Sequence, residues 1–143
     1  MARVSTYLNF MGNTETAFRF YADVFGTEIA EPIFRLGDAP ADSNGLQLSE
    51  AEQRMIMHIE LPILGGHVIM GTDMVESAGH VLTIGNNTTI NLEPDSHVET
   101  DRLYAALSQG GTDASGMQEM PWGYWGCCLD RFGIRWMFNH APS

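Results

Sequence analysis

The chain has 143 residues, a formal net charge of −11, and 44% hydrophobic against 17% charged residues. This balance is typical of one globular domain that buries roughly two thirds of its unfolded surface, so it excludes a need for disulfides or metal to hold the fold. The negative charge argues against nucleic acid and membrane surfaces as partners. No apolar run approaches the roughly 20 residues that span a bilayer, and no signal-peptide pattern follows Met1. The two cysteines are adjacent, at 127 and 128, and are poor disulfide partners, so we expect a cytoplasmic protein.

The chain contains an internal repeat. Leu8-Asn9-Phe10 returns as Ile90-Asn91-Leu92, and each copy continues through a polar cap and an amphipathic helix to a glycine. Such a repeat indicates two similar supersecondary units. For the first helix the pattern predicts a cap at Asn13 or Thr14, an inner stripe of Ala17, Phe20, Tyr21 and Val24, and an end at Gly26. For the second it predicts a capping box over Ser96–Glu99, an inner stripe of Leu103, Ala106 and Leu107, and an end at Gly110.

Three strand-like segments follow each predicted helix. They cover residues 28–35, 54–61 and 67–73 in the first copy, and 112–119, 125–129 and 134–138 in the second, with turns at 65–66 and 131–133. The sequence therefore predicts an α+β fold of two βαβββ units. We place unit one at about 3–73, a linker at 74–87 and unit two at about 88–139, within one domain over 1–143. We expect curved mixed sheets that form a groove, with the helices on the outer faces. The long polar segment 36–53 is a mobile lid, a dimer contact or a solvated insertion.

Several motifs spread along the chain resemble a known family. They are Tyr7-Leu8-Asn9-Phe10-x-Gly12-Asn13, Ala17-x-x-Phe20-Tyr21-x-x-Val24-Phe25-Gly26, Met57-His58-Ile59, Gly65-Gly66, Gly71-Thr72-Asp73, Trp122-Gly123, Gly126 and Asp130-x-Phe132-Gly133-x-x-Trp136. Together they resemble the PhnB-like branch of the vicinal oxygen chelate superfamily, which includes glyoxalases, bleomycin-resistance proteins and extradiol dioxygenases. The resemblance implies either a metalloenzyme or a metal-free binder of small molecules, and commonly a homodimer. PhnB-like proteins are sometimes labelled demethylubiquinone methyltransferases, but the chain lacks the glycine-rich strand-to-helix turn of a Rossmann-like cofactor domain.

The resemblance also implies where a metal would bind. Metal-using relatives place His, Glu or Asp on the first strand of each unit and on the last strands. Those positions fall here on Thr6 and Thr88, on Met137, and near Ile69 or Met70. None of these side chains is a good ligand for a hard or borderline divalent ion. We therefore predict no cofactor at the familiar metal site.

A different site is conceivable around His58. His58 and Glu60 alternate onto one face of their strand, together with Ile56, and Asp73 lies at the far end of the neighbouring strand. One histidine and two carboxylates would hold a divalent metal, or a carboxylate would orient His58 as a general base. The alternative is that His58 is a half-buried structural histidine and Glu60 a solvated charge at the rim.

The segment 120–128 is rich in aromatic and sulfur side chains. Trp122, Tyr124 and Trp125 stand close together among glycines, which suits either a cleft for a flat ligand or packing in a core or dimer interface. The predicted ligand-binding residues are Thr6, Thr88, Trp122, Trp125 and Met137, with His58 as a polar anchor.

Three functional hypotheses follow from these residues and from the resemblance. The first is a protein that binds a small apolar or aromatic molecule in a metal-free groove. The second is a metal-dependent lyase, isomerase or dioxygenase with a relocated site around His58. The third is a chain without enzymatic activity that works through a homodimer surface.

Overall fold

The computed structural model describes residues 1–39 and 47–141. The chain divides into two compact units, Met1–Leu82 and Thr83–Ser143. The division falls inside the linker predicted at 74–87. Among the described residues, no helix is long and apolar enough to cross a membrane.

The first unit is a four-stranded sheet with one long helix packed on it. Its elements are β1 Thr6–Phe10, α1 Thr14–Phe25, β2 Phe34–Arg35, α2 Glu50–Arg54, β3 Ile56–Pro62 and β4 Val68–Asp73. The strand order is β1-β4-β3-β2, with β1 parallel to β4 and the other pairs antiparallel. As predicted, α1 begins after Asn13 and ends at Gly26, whose φ of 65° favours glycine. The inner stripe includes fully buried Phe18, which the sequence pattern missed, whereas Phe20 is only half-buried.

The second unit repeats the plan. Its elements are β5 Ile90–Leu92, α3 His97–Ser108, β6 Gln118–Met120, β7 Gly123–Leu129 and β8 Arg135–His140, in the order β5-β8-β7-β6. The Ser96 side chain accepts a hydrogen bond from the backbone N–H of Glu99 and so caps α3, while the Glu99 carboxylate accepts from Arg102 and does not complete the predicted capping box. Leu103 and Leu107 are fully buried beside Thr100, and Ala106 lies at the edge of the stripe. The predicted α+β fold of two βαβββ-like modules is confirmed.

Two predicted strands are much shorter than expected. In the segment 28–35 only Phe34–Arg35 form a strand; the N–H of Ala30 donates to the Glu60 carbonyl of β3, but Pro32 has no N–H to continue the ladder. In the segment 112–119 a single bridge joins Thr112 to Leu129 before β6. Positive φ values at Asp113 and Gly116 interrupt the extended backbone between them.

The predicted loop 36–53 contains regular structure near its end. Ser49 caps the short helix α2 by accepting from the N–H of Glu52, while the Glu52 carboxylate accepts from the N–H of Ser49. The lid and dimer-contact interpretations of this segment depend on residues 40–46, which lie outside the described residues.

Candidate functional site

The face of the first sheet opposite α1 carries polar and titratable side chains. Along β3 and β4, Ile59, Leu61 and Ile69 are fully buried and point toward α1. Because side chains alternate along a strand, the residues between these buried ones point to the opposite face of the sheet. We call this surface the polar face, and define it by Tyr7, Asn9, His58, Glu60, Met70 and Thr72.

A β-bulge at Met57 aims His58 onto the polar face. Phe34 pairs with His58 but the next residue, Arg35, pairs with Ile56, so Met57 is an extra residue. The bulge corrects one prediction: Ile56 is buried and does not share a face with His58 and Glu60. The Thr72 hydroxyl donates to the Met57 carbonyl over 2.8 Å, which closes the ladder around the bulge.

Three side chains on the polar face form a hydrogen-bonded chain. The Tyr7 hydroxyl lies 3.1 Å from Nδ1 of His58, and Nε2 of His58 lies 2.8 Å from Oε2 of Glu60. The Arg3 guanidinium lies 3.8 Å from the other carboxylate oxygen. Both ring nitrogens of His58 are therefore engaged, and the imidazole has a defined orientation.

The phenol of Tyr7 is held in its protonated form. Partial burial raises its pKa above the ordinary value and the charge of Glu60 adds to this, while the neighbouring Thr72 hydroxyl opposes it. At neutral pH this hydroxyl therefore acts as a hydrogen-bond donor, and proton loss requires an acceptor such as the adjoining imidazole.

A cavity of about 440 Å³ opens beside the polar face. Its lining is mostly apolar and combines strand residues with both flanking segments: Asn9, Leu36, Leu48, Thr72, Asp73, Met74, Val75, Ala78 and His80. The volume lies within the range of roughly 300–1,000 Å³ found for small-molecule sites. Nδ1 of His80 accepts from the N–H of Val75 over 2.9 Å, so the neutral ring carries its proton on Nε2 as a donor.

Asp73 does not join His58 and Glu60 as a metal ligand. The carboxylate is 6% exposed, and Oδ1 accepts from the Thr14 hydroxyl and from the N–H groups of Gly12 and Thr14. Oδ2 accepts from the N–H of Ile56. Asp73 thus fastens the start of α1 and the start of β3 to β4, which is a structural role.

The donor set does not fit the divalent metal that the superfamily implies. Within residues 1–39 and 47–141, no group of three or more His, Cys, Asp or Glu side chains is placed to hold a metal ion. The hydrogen-bonded pair of His58 and Glu60 supplies two donors at most. We therefore assign no chemical step to a metal.

The two threonines predicted to bind a ligand lie away from the polar face. Thr6 points to the same face of β1 as the buried Leu8 and Phe10. Its hydroxyl lies 2.9 Å from Nε2 of His67. The first-strand residues on the polar face are Tyr7 and Asn9, one position along. Thr88 is exposed and precedes β5.

The other three predicted ligand residues belong to the second unit. Met137 pairs with Cys127, and Trp125 pairs with Asn139, so Met137 and Trp125 share the sheet face opposite α3. Trp122 is 52% exposed in the turn before β7. This second face combines the Trp125 ring and the sulfur atom of Met137 with the amides of Asn91 and Asn139. The neighbouring Cys128 is buried, which raises its pKa to about 12 and leaves an inert thiol.

Comparison with known proteins assigns the family. The model of the 3-demethylubiquinone-9 3-methyltransferase family matches residues 2–138. The chain belongs to this PhnB-like family. Comparison with curated protein sequences gives no significant match. The family name does not establish methyl transfer for this PhnB-like chain, because its two mixed four-stranded sheets differ from the doubly wound parallel sheet that carries a Rossmann-type cofactor.

Solved structures show the same fold. Protein PA1353 from Pseudomonas aeruginosa is 28% identical, with a TM-score of 0.83 and full coverage of both chains. The PhnB protein from Bacillus cereus is 22% identical, with a TM-score of 0.74, covering 98% of this chain and 100% of that one. A glyoxylase/bleomycin resistance protein/dioxygenase domain from Frankia sp. EAN1pec is 14% identical, with a TM-score of 0.67 and coverages of 100% and 94%. The PhnB-like chain therefore has the fold of this superfamily.

Proposed function

We propose that this PhnB-like protein binds a small, mainly apolar molecule through its own side chains, without a metal. The cavity of about 440 Å³ beside the polar face carries this proposal. Leu36, Leu48 and Val75 supply apolar surface, and Asn9 and Thr72 supply polar groups, which is the usual composition of a small-molecule site. Together with Nε2–H of His80, these groups favour a ligand that has an apolar body and one hydrogen-bond-accepting oxygen.

Filling the cavity tests this proposal. Ala78 is half-buried in its wall, so Ala78→Phe removes ligand space. The probe is 1-anilinonaphthalene-8-sulfonate, an apolar dye with an acceptor group whose fluorescence rises in apolar sites. We expect Ala78→Phe to weaken dye binding by tenfold or more. Ala105→Phe, on an exposed position of α3, is the matched control and leaves binding unchanged. Equal binding by both variants would exclude the cavity as the binding site.

Elemental analysis tests the metal-free part of the proposal. The available metal ligands support this part of the proposal, since the Asp73 carboxylate already accepts four hydrogen bonds from its own unit. We expect the purified, untagged protein to retain far less than one equivalent of zinc, nickel, manganese or iron after incubation and desalting. A stoichiometric ion that His58→Ala releases would instead establish the metal-dependent alternative.

We also propose that the protein works as a homodimer, as the family resemblance implies. Exposed apolar side chains in each unit supply surface for association: Phe34 and Val81 in the first, Ile84 and Trp122 in the second. Light scattering at micromolar concentration should give twice the chain mass, and the chain mass alone would contradict the proposal. The cytoplasmic location stays a prediction.

A further inference from the structure

The Glu60 carboxylate fixes which atoms donate and which accept in the hydrogen bonds that join Tyr7, His58 and Glu60. Glu60 in its ionised form only accepts hydrogen bonds, so Nε2 of His58 donates to it. In the neutral ring Nδ1 then has a free lone pair, and the Tyr7 hydroxyl donates to it. A hydroxyl, an imidazole and a carboxylate in this order form the arrangement that activates hydroxyl groups in hydrolases.

This activated phenol stands beside the cavity. The Tyr7 hydroxyl reaches His58 of β3, so its side chain crosses the intervening strand β4, whose Thr72 lines the cavity wall. Asn9 also lines it and lies two residues from Tyr7 on the same face of β1, about 7 Å along the strand. Tyr7 is 47% exposed and lies next to the lining residues, so a molecule that projects from the cavity mouth can reach its side chain.

We propose that Tyr7, His58 and Glu60 form a metal-free proton-transfer site for small carbonyl compounds with an acidic C–H group next to the carbonyl. The inference rests on the proposed function, because the cavity must hold the substrate. The carbon-bound proton passes to the Tyr7 oxygen while the phenol proton passes to Nδ1 of His58. The products are the enolate and an imidazolium held by the Glu60 carboxylate. Return of a proton by the same path restores the carbonyl compound, so no oxidant or second reactant is needed.

The cavity lining accounts for the substrate class. An enolate carries its charge on oxygen, and the Asn9 amide and Nε2–H of His80 are donors in the same cavity. The apolar wall of Leu36, Leu48 and Val75 suits an aromatic or aliphatic group attached to the carbonyl. Tyr7 is the catalytic residue, His58 accepts its proton, and Glu60 is a positioning residue.

Hydrogen exchange tests the inference. Phenylacetone and 2-hydroxyacetophenone are dissolved in D₂O with the protein, and proton NMR follows loss of the signal of the C–H group next to the carbonyl. We expect the protein to accelerate this exchange. Tyr7→Phe should lower the protein-dependent rate by about 100-fold or more. Glu60→Gln should lower kcat by roughly tenfold or more with little change in KM, at a temperature where its unfolding curve shows the variant to be fully folded.

A second phenol provides the control. The Tyr124 hydroxyl donates to Asp101 over 2.6 Å in the second unit, so its acceptor is a carboxylate and not an imidazole. With the Tyr124→Phe variant, hydrogen exchange in both probes should proceed at the wild-type rate. Thermal unfolding checks that every variant folds. Displacement of the dye measures probe binding separately. Probes that displace the dye without accelerated exchange would overturn the proton-transfer site and leave the binding function standing. If neither probe displaces the dye, the substrate class is wrong.

Discussion

The two sheets share one plan but differ in the side chains on the face opposite their helix. Strand registers make Asn9 equivalent to Asn91, and place Cys127 and Met137 where the first sheet has His58 and Thr72. The first face thus carries the titratable His58 and Glu60, whereas the second carries the sulfur atoms of Cys127 and Met137 beside the amides of Asn91 and Asn139. This contrast indicates that the repeat preserves the strand order and a buried helix-facing side, although individual residues change there, and that most of the opposite face has diverged in chemistry.

The buried carboxylate of the first unit gives the largest expected effect. Asp73 accepts four hydrogen bonds, three of them buried, so Asp73→Ala leaves these donors without their acceptor. We expect the free energy of unfolding to fall by about 3 kcal/mol or more, measured by urea denaturation. Asp23→Ala, at an exposed position of α1, is the control. A loss below about 1 kcal/mol would mean that Asp73 is not a structural fastener, and would reopen its role as a ligand.

The helix–sheet contact differs between the units at one position. Gly71 of β4 occupies the place that Trp136 fills in β8, because Phe18 packs on it: a Cβ there would lie 2.6 Å from the Phe18 ring. We expect Gly71→Ala to destabilise the protein by about 1–3 kcal/mol through overpacking. Gly85→Ala, where the nearest atom is 3.6 Å away, should change the urea midpoint little. Equal stability of the two variants would contradict the packing of α1 on β4.

The paired asparagines separate the two faces as binding sites. Asn9→Ala removes an amide from the cavity, so we expect dye affinity to fall about fivefold, as for loss of one hydrogen bond of about 1 kcal/mol. Asn91→Ala, at the equivalent position of β5, should leave the dye affinity unchanged in the same fluorescence titration. The reverse result would move the ligand to the second face and support the predicted roles of Trp125 and Met137.

Substitution of the glutamates in the first turns of α1 and α3 gives the smallest expected effect. The Arg35 side chain, with help from Arg19, lowers the pKa of Glu15 to about 2, whereas Glu99 is paired with Arg102 alone. A lowered pKa stabilises the fold above the unfolded value of about 4.3, and this stability is lost as pH falls from there toward 2. Because Glu15 is partly exposed, Glu15→Gln should remove no more than about 1 kcal/mol of this pH-dependent stability. An acid titration monitored by circular dichroism should show a larger change for Glu15→Gln than for Glu99→Gln.

The fold was largely predictable because its signals are local. Helix limits follow from Gly26 and Ser96, and the hairpin turns follow from glycines, since each acts within a few residues of itself. The start of α1 is different, because the Asn13 side chain makes no capping hydrogen bond and the distant Asp73 accepts from Thr14 instead. The short strand β2 was not predictable from apolar content, because pairing also depends on the N–H that Pro32 lacks.

The candidate site was only partly predictable. The alternation along β3 correctly places His58 and Glu60 as neighbours on one face. Thr6 stays a predicted ligand residue, but it lies on the opposite face from Tyr7 and Asn9, which belong to the polar face. A shift of one residue moves a strand side chain to the opposite face, and the alternation with Leu8 and Phe10 was the signal that would have identified it. His80 joins the cavity through a hydrogen bond to Val75, which no spacing pattern encodes.

Chemical-shift mapping locates the ligand on one face or the other. Amide spectra of the ¹⁵N-labelled protein, recorded as 1-anilinonaphthalene-8-sulfonate is added, report the binding site residue by residue. We expect the largest changes on Asn9, Thr72 and residues 74–80, which border the cavity. Changes concentrated at Trp122, Trp125 and Met137, with the first unit unaffected, would contradict a binding site beside the polar face.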